Sequence, residues 1–169
     1  MIKQLLAFYK LLDANKSQFE KYGLESIAFM DIYRTQPLYP ELYEYFDMPA
    51  IFIDYTMQGN GIKQRRTITM TLHIVIDELP DASNIAQYKQ VGLSQFTYNL
   101  LLQQILEGSK LDQTTALKFV SEEPIDSPVV NYHTQSYQFE SYLADMLDDD
   151  DSVFGEFERL NIFGSLKSR

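Results

Sequence analysis

The fold is decided by residues 66–77, which read Arg66-Thr67-Ile68-Thr69-Met70-Thr71-Leu72-His73-Ile74-Val75-Ile76-Asp77. Apolar side chains alternate here with threonines and a histidine. Successive side chains of a β-strand point to opposite faces of the sheet, so this alternation predicts a long strand with one buried and one polar face. The side chains predicted to lie in the core are Ile68, Met70, Leu72, Ile74 and Ile76.

A β-hairpin includes this strand. Residues 50–57 are rich in aliphatic and aromatic side chains and predict a second strand. Between the two strands lies Gln58-Gly59-Asn60-Gly61, in which glycine and asparagine readily adopt the positive φ of a tight turn. We therefore expect the two strands to pair antiparallel, with the two glycines serving the turn and not a phosphate-binding loop.

Two amphipathic helices are predicted on either side of the hairpin. Residues 2–21 carry apolar side chains at helical spacing, and Gly23 is a natural stop. Residues 83–107 repeat this pattern, with Gly92 marking a kink or a close approach and Gly108 ending the helix. Further strands are predicted at 26–33, 116–120 and 130–143, and a loop at 37–47.

The resulting element order, α-β-β-β-α-β-β, indicates an α+β fold. Consecutive strands are close in sequence, so we expect a mostly antiparallel sheet with two helices packed on one face. The opposite face is rich in threonine, tyrosine, glutamine and serine, and we expect it to be solvated or to meet a partner. The length of 169 residues suits one domain, which we place at residues 1–145.

The C-terminal arm (residues 146–169) differs in composition from the rest of the chain. It contains an acidic run at 148–151, which we interpret as a solvated linker because it lacks the glycine and closing glutamate of a calcium loop. The apolar residues that follow are Val153, Phe154, Phe157, Leu160, Ile162 and Phe163. Two interpretations remain open: the arm docks on a neighbouring molecule, or it folds back on its own domain.

The composition excludes several classes of function. The chain has no cysteine, which excludes disulfides, thiolate nucleophiles, zinc fingers and iron–sulfur clusters and fits synthesis in a reducing cytosol. Its formal net charge of −10, with only 14 basic residues, argues against tight binding to nucleic acid. No apolar run approaches the roughly 18 residues that span a bilayer, so no membrane partner is expected.

No catalytic motif is present in the sequence. There is no phosphate-binding loop, dinucleotide fingerprint, nucleophile elbow or zinc-protease helix. His73 and His133, with Asp31 or Asp54, leave a metal or acid–base centre open, but no spacing specifies one. We therefore predict no enzyme activity, no catalytic or metal-binding residues and no cofactor.

The candidate interface residues fall into three groups. The hairpin turn is basic in an acidic protein, which suits an acidic neighbour, although an ordinary solvated turn is the simpler explanation. Tyrosines of the 37–47 loop and phenylalanines of the arm offer the aromatic surface that is typical of protein interfaces. The residues are Lys63, Arg65 and Arg66 in the turn, Tyr39, Tyr43 and Tyr45 in the loop, and Phe154 and Phe157 in the arm.

The order of the elements over residues 1–145 and the sequence patterns within them resemble those of a known protein family. The features are the N-terminal helix, the segment 49–55, the hairpin into residues 66–77, the long helix that follows, and the late strand Ser136-Tyr137-Gln138-Phe139-Glu140. In these features the chain resembles the tail terminator, or tail completion, proteins of long-tailed bacteriophages, minor tail proteins related to the lambda-like terminator.

The resemblance implies a structural subunit of a virion. Such proteins form a ring, commonly of six subunits, that caps the finished tail tube and presents a surface to the head connector. The implied partners are copies of the same chain, the tail tube protein and the head connector protein, for a phage or prophage product made in the host bacterial cytoplasm. An acidic ring lining lets DNA pass without adhering, and a closed ring needs two different patches on each subunit.

Other functions remain open on the sequence alone. Another head–tail connector or neck protein is the nearest alternative, since such proteins share this small α+β style. A small-molecule binding or regulatory module requires a deep apolar pocket with converging polar groups. An enzyme requires His73, Asp31 and Asp54 to cluster around a cleft.

Overall fold

The computed structural model of the chain describes residues 1–39, 42–43, 45–59, 61, 63–77, 80–127 and 130–146. The helices of this part are α1 (Ile2–Ala14), α2 (Lys16–Lys21), α3 (Lys89–Gly92), α4 (Ser94–Leu106) and a short 3-10 turn (Ala144–Met146). The strands are β1 (Phe29–Ile32), β2 (Ala50–Gln58), β3 (Arg65–Ile76), β4 (Lys118–Ile125) and β5 (Asn131–Tyr142).

The described strands form one mixed sheet in the order β1-β2-β3-β5-β4. The pairings β2–β3, β3–β5 and β4–β5 are antiparallel, whereas β1 runs parallel to β2. The predicted α+β class is confirmed, and so is the hairpin. A parallel pair requires the chain to return from the end of β1 to the start of β2, and Phe46 of this connection packs on the face of the sheet opposite α1 and α4.

The alternation in β3 places its apolar parity in the core, as predicted. Ile68, Met70, Leu72 and Ile74 are fully buried and Ile76 is nearly so. They pack against both principal helices on one face of the sheet, through residues that include Phe8 and Leu12 of α1 and Leu102 and Leu106 of α4. β3 therefore lies at the centre of the sheet, beneath both helices.

The first predicted helix is divided at Asn15, so its predicted continuity over 2–21 is wrong. This residue adopts φ −107° and ψ 12°, and its side-chain amide donates a hydrogen bond to the carbonyl of Leu11 at 2.8 Å. Asparagine side chains compete with the helix for backbone partners in this way. The break lets α2 turn and bury Phe19 in the same core.

The second predicted helix starts later than residue 83. Asp81 accepts hydrogen bonds from the backbone N–H and the hydroxyl of Ser83, at 2.8 and 3.0 Å, and this holds a turn where the helix was expected to begin. A Cβ added to Gly92 would lie 2.4 Å from the carbonyl oxygen of Pro80. Of the two alternatives predicted at this glycine, the close approach is confirmed, and the helix is also interrupted next to it, at Leu93 between α3 and α4.

Two strand predictions differ from the structure in their bounds. β1 is shorter than the predicted 26–33. β4 extends beyond the predicted 116–120 and contains Pro124. Proline has no N–H to donate, and the strand tolerates it because β4 is the edge of the sheet.

The face of the sheet opposite α1 and α4 is not uniformly polar. Phe52 and Val75 are fully buried on it, Ala50 and Tyr132 lie beside them, and Phe46 packs on top. The ring centroids of Phe46 and Phe52 are 4.9 Å apart, in edge-to-face contact. We call these five residues the second core. The expected polar face extends only over the rest of these strands, where β3 contributes half-buried threonines.

Candidate interaction surfaces

Helix α4 is apolar on two sides. Its inner side packs against the apolar side chains of the sheet. Its outer side presents Leu93, Phe96 and Leu100, which are 43%, 57% and 66% exposed. Spacings of three and four residues place these side chains on one stripe. Large apolar side chains exposed together on one stripe mark a site of interaction, so this stripe, which we call the outer α4 surface, is a candidate for contact with a partner.

The apolar surface continues along the chain before α4. Ile85, Tyr88 and Val91 are all exposed. Large apolar side chains that are exposed singly need no explanation, but a consecutive series of them marks a site of interaction. Residues 85–100 therefore present the longest run of exposed apolar side chains in the described part of the chain.

A buried polar network holds α4 against β4 and β5. The side-chain amide of Asn99 donates to Glu122 at 2.8 Å and to Nδ1 of His133 at 3.0 Å. Gln135 donates to the other carboxylate oxygen of Glu122 at 2.7 Å and to the Asn99 carbonyl at 2.8 Å, and Tyr137 donates to Gln135 at 2.9 Å. Such a network fixes the rotation of the helix, because each lost partner leaves a buried polar group unsatisfied.

Protonation states within this network follow from burial. Burial raises the pKa of Tyr137 far above its ordinary value, helped by the charges of Glu107 and Glu122, so its hydroxyl remains a donor. Burial also lowers the pKa of His133, against the opposing effect of Glu122. The neutral imidazole can then accept the Asn99 hydrogen bond. Sequence reasoning missed the network, although Gln135 lies between His133 and Tyr137 on the core-facing parity of β5.

The three candidate tyrosines of the loop have different roles. Tyr45 is 88% exposed and Tyr39 is about half exposed, so both are available to a partner. Tyr43 is half-buried and donates a hydrogen bond to the carbonyl of Arg34, with its hydroxyl 3.2 Å from that of Thr35. Tyr43 therefore shapes the loop, whereas the other two tyrosines present surface.

The three basic residues of the hairpin turn also differ in exposure and in their partners. Lys63 is exposed. Arg65 lies over the ring of Tyr142 at 5.1 Å and forms a long ion pair with Glu140 at 3.8 Å. Arg66 is half-buried, and its Nε has no hydrogen-bond partner within the described residues. The turn thus offers two exposed cations, not three. Phe154 and Phe157, with the rest of the arm beyond residue 146, lie outside the described residues.

His73 sits in an aromatic environment at the second core. The ring of Tyr33 stacks on it with 3.7 Å between centroids and 4° between planes. The hydroxyl of Tyr132 lies 2.5 Å from its Nδ1. Burial lowers the pKa of His73, and the charge of Asp54 only partly opposes this shift. The imidazole is therefore a packed, neutral ring.

The four groups considered for catalysis do not converge. His73 faces away from α4, whereas His133 faces it. Asp31 forms a 2.9 Å ion pair with Arg34, and Asp54 accepts a hydrogen bond from the next backbone N–H at 2.7 Å. Among the residues that the structure describes, no three His, Asp or Glu side chains lie close enough to hold a metal ion.

Stability is expected to depend on pH through these two histidines. Their folded-state pKa values lie below the ordinary 6.5. Below that pH the unfolded chain takes up protons first, so stability that is fully present above it is lost as pH falls toward the folded pKa values. Because phenylalanine cannot be protonated, we expect His73→Phe to gain stability relative to the unmodified chain as pH falls from about 7.5 to about 5.5.

Urea unfolding of both proteins at the two pH values measures this effect. Tyr39→Phe, at an exposed position with no titration in this range, serves as the control and should differ from the unmodified chain by the same amount at both values. A difference for His73→Phe that is constant with pH, or that changes in the opposite direction, contradicts the assignment of a buried neutral His73.

A cavity of about 470 Å³ opens at the end of the sheet near the start of α4. Its lining includes Leu24, Met48, Ile76 and Tyr98. The Tyr98 hydroxyl already donates to the carbonyl of Glu25, and burial raises its pKa to about 12. The volume suits a small ligand. The lining also includes the polar residues Glu25, Asp77, Gln90 and Ser94 beside these apolar side chains.

Comparison with known proteins adds no relative. No protein-family model matches the chain, and no curated protein matches its sequence. None of the described helices is long and apolar enough to cross a membrane. The fold and its surfaces therefore define the class by themselves. The protein is an α+β protein built on a mixed sheet. A buried polar network holds α4 against β4 and β5, and the outer side of α4 exposes Leu93, Phe96 and Leu100.

Proposed function

We propose that this chain is a structural subunit that assembles with copies of itself. The outer α4 surface is the observation that carries the proposal, since Leu93, Phe96 and Leu100 are exposed on a helix that is also apolar on its inner side. Burial of such side chains is worth about 25 cal/mol per Å² of apolar surface removed from water. A partner that covers the stripe would therefore stabilise the assembly substantially.

A second, different patch supports a ring. The exposed Tyr39 and Tyr45 belong to the loop whose Phe46 packs on the second core, on the face of the sheet opposite α4. A closed ring joins two unlike patches of neighbouring subunits, whereas a twofold dimer joins like patches. Two aromatic or apolar patches on opposite sides of one subunit suit the first arrangement.

Within that class, we propose the tail terminator of a long-tailed bacteriophage or prophage. The element order of residues 1–145 supports it through the resemblance given above, and the observed helix–hairpin–helix–strand order agrees with those features. The partners are then the tail tube protein and the head connector protein, in a virion assembled in the host bacterial cytoplasm. The net charge of −10 suits a ring through which DNA passes.

Native mass spectrometry and negative-stain electron microscopy of the full chain test the proposal. We expect a closed ring, six subunits being the expected number, with a pore near the width of duplex DNA, about 20 Å judged from its groove dimensions. The ring is expected to form alone or on addition of tail tubes from the same phage. A protein that remains monomeric at high concentration, with and without tubes, overturns the proposal.

A further inference from the structure

The C-terminal arm carries an apolar stripe that matches the outer α4 surface. Val153, Phe157, Leu160 and Phe163 recur at spacings of four, three and three residues, the signature of one side of a helix. On α4 the corresponding spacings are three and four. Helices pack when such rows of side chains interdigitate. A helix over residues 153–163 would be about 16 Å long, enough to cover the roughly 10 Å between Leu93 and Leu100.

We infer that residues 153–163 of one subunit dock on the outer α4 surface of the neighbouring subunit. This inference rests on the proposed self-assembly and names the element that fills the uncovered stripe. If each arm covered α4 of its own subunit, the stripe would contribute nothing to association. Docking on the neighbour instead uses the same apolar area to hold the ring together.

The start of the arm is anchored in the fold. Met146 is buried. The carbonyl of Asp145 accepts a hydrogen bond from the side chain of Gln4 at 3.1 Å, and the same amide donates to Asp112 at 2.9 Å. From this point the six residues 147–152 precede the docking segment. Extended, they span roughly 20 Å, which lets the segment leave its own subunit.

Charge favours one direction of docking. The linker carries four aspartates at 148–151. Lys110 and Lys118 lie just beyond the C-terminal end of α4 and are both exposed, and neither pairs with a carboxylate within the described part of the chain. An acidic linker that passes these lysines would deliver the apolar segment to Leu100 first. Exposed ion pairs add little affinity, but they orient an encounter.

An isolated helix of this length is marginal in water, so its formation would be coupled to docking. This coupling makes assembly depend on the arm in a way that a folded-back arm does not.

Engineered cysteines test the contact directly, because the chain has none of its own. Full-length Phe96→Cys and full-length Phe157→Cys are mixed and oxidised. We expect a disulfide-linked dimer of one chain of each kind, with a yield about tenfold or more above that of the control, since docking raises the effective concentration of the thiols. The control replaces Phe96→Cys with Lys10→Cys, an exposed site of α1 that belongs to neither proposed patch.

A second experiment uses the full chain with Phe157→Glu and Leu160→Glu. It is compared with the matched polar change Glu158→Gln. We expect the double variant to remain folded and to lose assembly, and Glu158→Gln to assemble normally. Cross-linking found only within one chain, in a double-cysteine variant, overturns the inference. So does an intact ring in the double-glutamate variant, and in that case the proposed ring function stands. Absence of any assembly by the unmodified chain counts instead against the proposed function.

Discussion

The double substitution Phe96→Glu and Leu100→Glu is expected to yield a folded monomer that no longer assembles. Both side chains are more than half exposed in the subunit, so its free energy of unfolding should change little. In the proposed ring both side chains are buried. Loss of two apolar anchors of about 2 kcal/mol each, with charges left in their place, should weaken association by roughly a thousandfold.

Sedimentation velocity measures the assembled fraction, and circular dichroism during heating reports whether the monomer stays folded. Gln18→Glu is the matched control, since it adds a charge at an exposed position of a different helix, α2, and leaves the apolar stripe intact. We expect this control to assemble normally. Unchanged assembly of the double variant would show that the outer α4 surface is not the interface.

Phe52→Ala is expected to lower the free energy of unfolding by about 3–5 kcal/mol, the usual cost of deleting a buried phenylalanine. Phe52 is fully buried in the second core, and its ring contacts those of Phe46 and Phe29, with centroids 4.9 and 5.9 Å away. The structure therefore predicts a core residue on a face where the sequence pattern predicted polar surface. A loss of this size is a large part of the about 5–15 kcal/mol that stabilises an ordinary domain.

Urea denaturation of the two proteins gives the difference directly. Tyr45→Ala provides the comparison, because it removes a similar aromatic ring from the same loop region at a position that is 88% exposed. That change should cost less than about 0.5 kcal/mol. If Phe52→Ala costs no more than Tyr45→Ala, the loop does not cover the second core in solution.

Interaction surfaces were only partly predictable from the sequence. Tyr39 and Tyr45 are exposed as their prediction as contact residues requires, whereas Tyr43 is engaged within the loop. The outer α4 surface was missed, because the pattern of residues 83–107 predicts one amphipathic helix with a single apolar side. A helical pattern shows which residues share a side, but it does not show how much of a broad stripe the sheet can cover.

The sequence by itself determined the long central strand, its buried parity and the hairpin, because each depends on side-chain direction or backbone freedom within a few residues. Only the tertiary structure decided the parallel pairing of β1, the second core around Phe52 and the polar network of Asn99 and Gln135. These features join residues that are far apart in the chain, and their energies come from packing and from satisfying buried polar groups, which exist only once the elements have met.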